Sequence, residues 1–458
     1  MLLLVGLLPA QLGRYEMGRR LRLFEQAWEQ ADAAAHARAT PHLDGAVRAF
    51  FALSAAKATL GIEAARGALT SSTATWADAL ALAPAARLLD PRAAPLVVTV
   101  TSVFDSDVEP PPDARVRCEL LGQWHKALAP AVEVPLGATD TVVTLECHLV
   151  PNGDYTLRGT FLSGEQTVAT AEIGVSIVHD LTARLARIDL NVDRLTKDDA
   201  SVAASTQRYL RGLLRAAADG KTAETDLPYS RLLEDARGLD TQQRDPVTGR
   251  LLAIAPPGES WLCIATARRR IPLRLFVPPR RTAAQKVPLV VALHGAGGSE
   301  NMFFDAYGAG KLVALARARD WIVVAPANAA DAIGEIVEQL ALLCHVDRSK
   351  VFLVGHSMGA MQAVAAGTGT DAMKYAAVVA LGGGGRVPPR TRLYGRAFFV
   401  GVGALDFARA GALALRDALG RTEAEVQFVE YPDTEHLAVV QRALPDVFAW
   451  LDGIAGKR

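Results

Sequence analysis

Short apolar runs recur from residue 261 to the end of the chain, at 261–267, 271–277, 289–293, 321–325, 351–354, 376–381, 397–402 and 426–431. They do not alternate with polar residues, and helical patterns separate most of them. Strands that are apolar on both faces and joined through helices predict a mostly parallel sheet covered on both sides. Reactive groups of such a sheet gather at the C-terminal ends of its strands, so those ends are where chemistry is sought.

One strand end carries an unusual turn. Residues 350–366 read KVFLVGHSMGAMQAVAA, an apolar run entering Gly355-His356-Ser357-Met358-Gly359 and leaving as a small-residue helix. A sharp strand-to-helix turn pushes a serine hydroxyl clear of the sheet, and small residues two positions either side let backbone approach closely. The helix that follows adds its positive N-terminal end. GxSxG alone is weak evidence, because an ordinary turn can contain it, so its context decides.

That context is complete. Directly after the strand at 289–293 comes His294-Gly295-Ala296-Gly297-Gly298, whose glycines let backbone amides point at a developing negative charge. The loop suits half of an oxyanion hole, and the amide of Met358, immediately after the serine, suits the other half. Phosphate binding is excluded for this loop, since GxGxxG, a following Lys-Ser/Thr and a ribose-binding acid are all missing. Beyond Ser357, the run at 397–402 leads to Asp406, and VQFVEYPDTEH places His436 just past the next strand. Asp433 and Glu435 are rival acids, but they share a short loop with His436 and would have to fold back beneath its ring. The order Ser357, Asp406, His436 suits a nucleophile, an orienting acid and a general base. His356 is read as packed beside the loop rather than catalytic, and Gly382–Gly385, which follows a strand near the site, as a flexible loop.

The chain has 458 residues, too many for one core, so more than one domain is expected. Residues 1–90 read as antiparallel Ala-rich helices interrupted at Thr40-Pro41, with Arg19, Arg20 and Arg22 as a solvated face. Residues 91–179 change to a period of two, as in Val98, Val100, Val116, Cys118, Leu120, Val143, Leu145, Cys147 and Leu149, and read as a β-sandwich. Its run from Pro151 to Tyr155 resembles a turn of immunoglobulin-like modules. Cys118 and Cys147 both fall on the apolar phase, where either a disulfide or two buried thiols would fit. Residues 180–250 read as a helical hairpin or linker, and 251–458 as the α/β domain. The tripeptide Arg268-Arg269-Arg270 reads as an exposed hairpin turn.

Acidic and basic residues balance at 49 each, which provides no long-range field to recruit nucleic acid. The four cysteines are scattered and form no CxxC, so neither metal nor cofactor is called for. No apolar run approaches the ~20 residues that span a bilayer. The start MLLLVGLLPA resembles the apolar part of an export signal without its basic beginning. Export, periplasmic or secreted, is the reading taken, with a short docking helix as the alternative.

With these motifs in place, residues 261–458 resemble an α/β-hydrolase, of the esterase D, feruloyl esterase and polyhydroxybutyrate-depolymerase-like group, with prolyl-oligopeptidase-like relatives. VVALHGAGG, WIVVAPA, VDRSKVFLVGHSMGA, the strand ending at Asp406 and EYPDTEH carry the likeness. The resemblance implies catalytic roles for Ser357, Asp406 and His436 and oxyanion roles for Ala296 and Met358. It implies a serine esterase acting on carboxylic esters, such as acylated polysaccharide or aryl esters. Peptidase activity and a non-catalytic binding role are the alternatives. The segment after WIVVAPA is shorter than in relatives, so a more open pocket is expected, and Ala360 replaces a frequent glycine.

Overall fold

The computed structural model describes residues 8–137, 139–221, 223–243, 256–279, 286–329 and 331–456. Most of the apolar start (residues 1–7) and most of the junction expected near residue 250 lie outside them. The chain divides into two units: residues 1–24, 41–197 and 207–244 form one, and residues 25–40, 198–206 and 245–458 the other.

The first unit opens with helices α1 (Leu8–Gln30), α2 (Ala33–Phe51) and α3 (Ala55–Thr70), the first two extending into the second unit. Pro41 lies inside α2, so the interruption expected at Thr40-Pro41 falls instead at Ala31-Asp32. Small residues bring helices together: a Cβ on Gly61 of α3 would stand 2.9 Å from that of Ala46 in α2. The solvated arginine face is corrected as well. Arg19 and Arg20 are buried, because Glu16 accepts from both and Glu63 accepts from Arg20 at 2.8 Å. A buried guanidinium is tolerated when carboxylates satisfy its donors.

Strands begin before the expected boundary at residue 91. They are β1 (Leu80–Pro84), β2 (Leu88–Leu89), β3 (Leu96–Ser102), β4 (Ala114–Leu121), β5 (Val132–Pro135), β6 (Thr141–Leu145), β7 (Gly153–Ser163) and β8 (Gln166–Ile177). Their described residues form a sheet ordered β1-β3-β6 and another ordered β2-β8-β7-β4-β5. Val98, Val100 and Leu145 from the first share a core with Val116, Leu157, Phe161 and Ile173 from the second. The helical reading of residues 80–89 fails because apolar pairing with β3 and β8 outweighs local propensity. Leu149, expected inside, is exposed beyond the end of β6. Cys118 and Cys147 are buried free thiols. After the strands come three helices rather than a hairpin: α4 (Leu181–Asp193), α5 (Val202–Ala218) and α6 (Tyr229–Gln243).

In the second unit the described strands are β9 (Gly258–Ala265), β10 (Arg270–Val277), β11 (Val287–Leu293), β12 (Ile322–Pro326), β13 (Val346–His356), β14 (Ala377–Leu381), β15 (Ala397–Gly403) and β16 (Glu425–Tyr431). They form one sheet ordered β16-β15-β14-β13-β11-β12-β10-β9. Pairing is parallel from β16 to β12, while β10 pairs antiparallel with both β12 and β9. Helices α7 (Lys311–Arg317), α8 (Ile333–Leu343), α9 (Met358–Thr368), α10 (Arg409–Gly420) and α11 (Val439–Ala455) connect or follow the strands. Every residue of β12, β14 and β15 is buried, which is why these runs lack alternation. The β9–β10 hairpin turn carries Arg268 and Arg269, both paired with Asp331. Among the described residues no helix is long and apolar enough to cross a membrane.

Candidate active site

β13 lies centrally in its sheet, and its register pairs Gly355 with Leu293, the last residue of β11. The chain then reverses at Ser357, whose φ of 54° and ψ of −115° are unusual for a residue with a side chain. Such a conformation costs about 1–3 kcal/mol and persists only where surroundings impose it. Two glycines make the turn possible. A Cβ on Gly355 would sit 2.1 Å from the Gly359 carbonyl oxygen, and one on Gly359 would sit 2.0 Å from that of Leu293. The Ser357 amide donates to Leu381 at 2.9 Å, tying the turn to β14.

Asp406 follows β15, and Gly403 at that strand's end lets the backbone pass within a Cβ's reach, 2.1 Å, of the Thr434 carbonyl oxygen. This brings the loop bearing His436 against the loop bearing Asp406. His436 Nδ1 lies 2.9 Å from Asp406 Oδ1, and His436 Nε2 lies 3.1 Å from Ser357 Oγ. Because a carboxylate only accepts, Nδ1 carries the proton and Nε2 is free to accept from the serine hydroxyl. The same Asp406 Oδ1 accepts the Ala408 amide at 2.8 Å, which fixes its direction. Asp406 and His436 are both buried.

The rival acids are placed elsewhere. Asp433 is exposed, and Glu435 accepts the Leu437 and Ala438 amides, each at 2.7 Å, instead of reaching the imidazole. Burial pushes the Glu435 carboxyl up to about 7, against the opposing pull of those two amides.

The Gly-rich loop lies beside the serine. A Cβ on Gly295 would stand 3.3 Å from that of Ser357. Ala296 follows in this loop, and Met358 opens α9, where a first-turn amide has no acceptor within its helix. Gly382–Gly385 is packed rather than loose: Cβ atoms there would meet Asp406 Oδ2 at 3.0 Å from Gly382 and the Ser357 carbonyl oxygen at 2.8 Å from Gly383. The short connection from β12 to α8 takes Asn328 past His294, whose Nε2 is 3.4 Å from the Asn328 amide.

Several neighbours carry no sequence motif. Phe407 is 62% exposed and its ring centroid lies 4.2 Å from that of His436, with Leu405 also exposed on the other side of Asp406. Their adjacency to Asp406 in the chain is the one available signal. His356 is buried, with Nδ1 2.7 Å from the Tyr307 hydroxyl and Nε2 3.0 Å from the His436 carbonyl oxygen. Burial, then the nearby His436, hold its pKa well below the usual histidine range. Tyr307 comes from a segment between β11 and α7 whose pattern announces nothing. Among the described residues no group of three His, Cys, Asp or Glu side chains is arranged to hold a metal.

The model of the alpha/beta hydrolase family matches residues 290–456, a stretch containing Ser357, Asp406 and His436. Among solved structures, S-formylglutathione hydrolase from Staphylococcus aureus is 16% identical over 43% of this chain and 98% of its own, with a TM-score of 0.36. The feruloyl esterase module from Clostridium thermocellum is 14% identical over 44% of this chain and 92% of its own, at 0.37. A ferulic acid esterase from Anaeromyces mucronatus is 16% identical over 42% of this chain and 90% of its own, at 0.35. No curated protein matches the chain. By the family model that covers it and by its own sheet, the stretch 290–456 carries the α/β-hydrolase fold.

Proposed function

We propose that this protein is a serine esterase that cleaves carboxylic esters through an acyl-enzyme on Ser357. The observation that carries the reading is the unbroken hydrogen-bond line from Ser357 Oγ through the His436 imidazole to Asp406. His436 takes the hydroxyl proton as Oγ attacks the ester carbonyl, and Asp406 stabilises the resulting imidazolium. The oxyanion is received by the amides of Ala296 and Met358, each such donor contributing roughly 3 kcal/mol in comparable sites. His436 then protonates the departing alcohol, and water attacks the acyl-enzyme by the same proton relay in reverse. No metal or cofactor has a part in these steps.

The substrate is read as an ester with an apolar or aromatic group, from acylated polysaccharide or small aryl esters. Exposed Phe407, whose ring stands beside that of His436, supports this, since it offers apolar surface where one side of the ester would rest. A fluorophosphonate probe should label the protein, and Ser357→Ala should abolish labelling; a variant still labelled would sink the assignment. Turnover of p-nitrophenyl acyl esters should exceed that of a proline-containing peptide amide, and the opposite order would make the protein a peptidase.

The strand-rich part is read as an immunoglobulin-like sandwich. Its two sheets share one core, and the Tyr155 hydroxyl donates to the Pro151 carbonyl at 2.9 Å, the kind of bond that a tyrosine makes at a corner of such folds. The proposed division is a helical region up to residue 79, the sandwich in 80–179, a second helical region after it and the hydrolase in 251–458, the first boundary moved from 90 because residues 80–89 pair with β3 and β8.

A further inference from the structure

We propose that Tyr307 and His356 are positioning residues that clamp the oxyanion loop at Gly295 to the backbone of the catalytic histidine, an inference that rests on the esterase reading. The argument is one of hydrogen-bond direction. The His436 carbonyl can only accept, so His356 Nε2, 3.0 Å away, must donate to it. A neutral imidazole then has Nδ1 as an acceptor, and its partner at 2.7 Å is the Tyr307 hydroxyl, which supplies the proton. The phenol oxygen in turn accepts the Gly295 amide at 3.3 Å. The result is a single directed line from the Gly295 amide through the phenol and the imidazole to the His436 carbonyl.

Both side chains are buried, and burial favours the neutral imidazole that this line requires. The fit around Gly295 is close: its Cβ would meet the Tyr307 hydroxyl at 3.1 Å, His356 Nδ1 at 3.2 Å and the Ser357 Cβ at 3.3 Å. Tyr307 is itself held, with Phe303 edge-on at 4.8 Å and the Gly308 amide donated to Glu25. Asp406 orients the ring of His436, while His356 holds the peptide from which that ring projects. The same clamp sets where the Ala296 amide, one residue beyond Gly295, stands relative to Ser357. It therefore controls the spacing between the oxyanion donors and the general base, which affects the transition state more than substrate binding.

Tyr307→Phe, His356→Asn and the double variant, assayed with p-nitrophenyl acetate, test this. The clamp predicts that each single change lowers kcat by about 10- to 100-fold with KM within about twofold, and that the double variant is no worse than the poorer single. A parental kcat in either soluble variant overturns the inference, whatever its melting temperature, as do effects that multiply. The histidine ¹⁵N spectrum of the unaltered protein gives a readout independent of any variant: His356 is expected as the neutral Nε2–H tautomer, and a proton on Nδ1 overturns the clamp. A parent that hydrolyses no ester and takes no fluorophosphonate sinks the esterase reading instead, while the spectrum still decides the hydrogen-bond line.

Discussion

Gly359 stands so close to Leu293 that a single added Cβ would lie 2.0 Å from the Leu293 carbonyl oxygen. The obstacle is backbone, not a flexible side-chain tip, so neither partner can yield without moving β11 or the start of α9. These two elements carry the Gly-rich loop and Ser357, and their approach brings the site together.

Gly359→Ala should therefore lower stability by about 3 kcal/mol or more and abolish ester turnover. Gly420→Ala is the matched control, because nothing lies within 4 Å of its Cβ position at the end of α10. Thermal unfolding of both variants checks this; equal melting temperatures would show that the contact matters little.

Asp406→Asn should reduce kcat by about 10⁴-fold, since an amide favours the wrong imidazole tautomer. Glu435→Gln should leave kcat within about tenfold, because its bonds go to the Leu437 and Ala438 amides, and a glutamine oxygen can still accept them. Steady-state kinetics on p-nitrophenyl acetate would expose the reverse order, which would transfer the acid's role to Glu435.

The buried Glu435 also sets a pH dependence of stability. Its carboxyl sits at about 7 in the folded protein, above the ordinary glutamate value of 4.5. A raised acid binds its proton more tightly when folded, so its contribution is complete below about 4.5, declines as pH rises and is gone once pH passes about 7. The parent should lose stability relative to Glu435→Gln across that window, by up to ~1.4 kcal/mol per pH unit. Urea unfolding of both proteins at pH 5, 6, 7 and 8 measures the difference, and parallel curves would refute it.

All four cysteines are buried and no disulfide joins any of them, and burial pushes the Cys118 thiol up to about 12. A thiol reagent should find none of them in the native protein and all four in denaturant. A disulfide between Cys118 and Cys147 would leave two.

The α/β-hydrolase fold, the turn at Ser357 and the candidates Asp406 and His436 were legible in the sequence for one reason. Each depends on local chemistry: apolar runs for buried strands, glycines where a Cβ would collide, and reactive residues just past strand ends. The β-sheet start at Leu80 and the burial of Arg20 were not legible, because partners distant in the chain override local preference there. Glu63 is what makes burial of Arg20 tolerable, and it lies 43 residues away.

The sequence by itself determined which residues could do chemistry and in what order along the chain. Only the tertiary structure decided which of three acids meets His436, and that His356 and Tyr307 join the Gly-rich loop at Gly295 to it. The physical reason is that hydrogen bonds are short and directional. Spacing along a chain can nominate their partners, but packing of the sheet and its loops brings one pair within 3 Å and holds the rest apart.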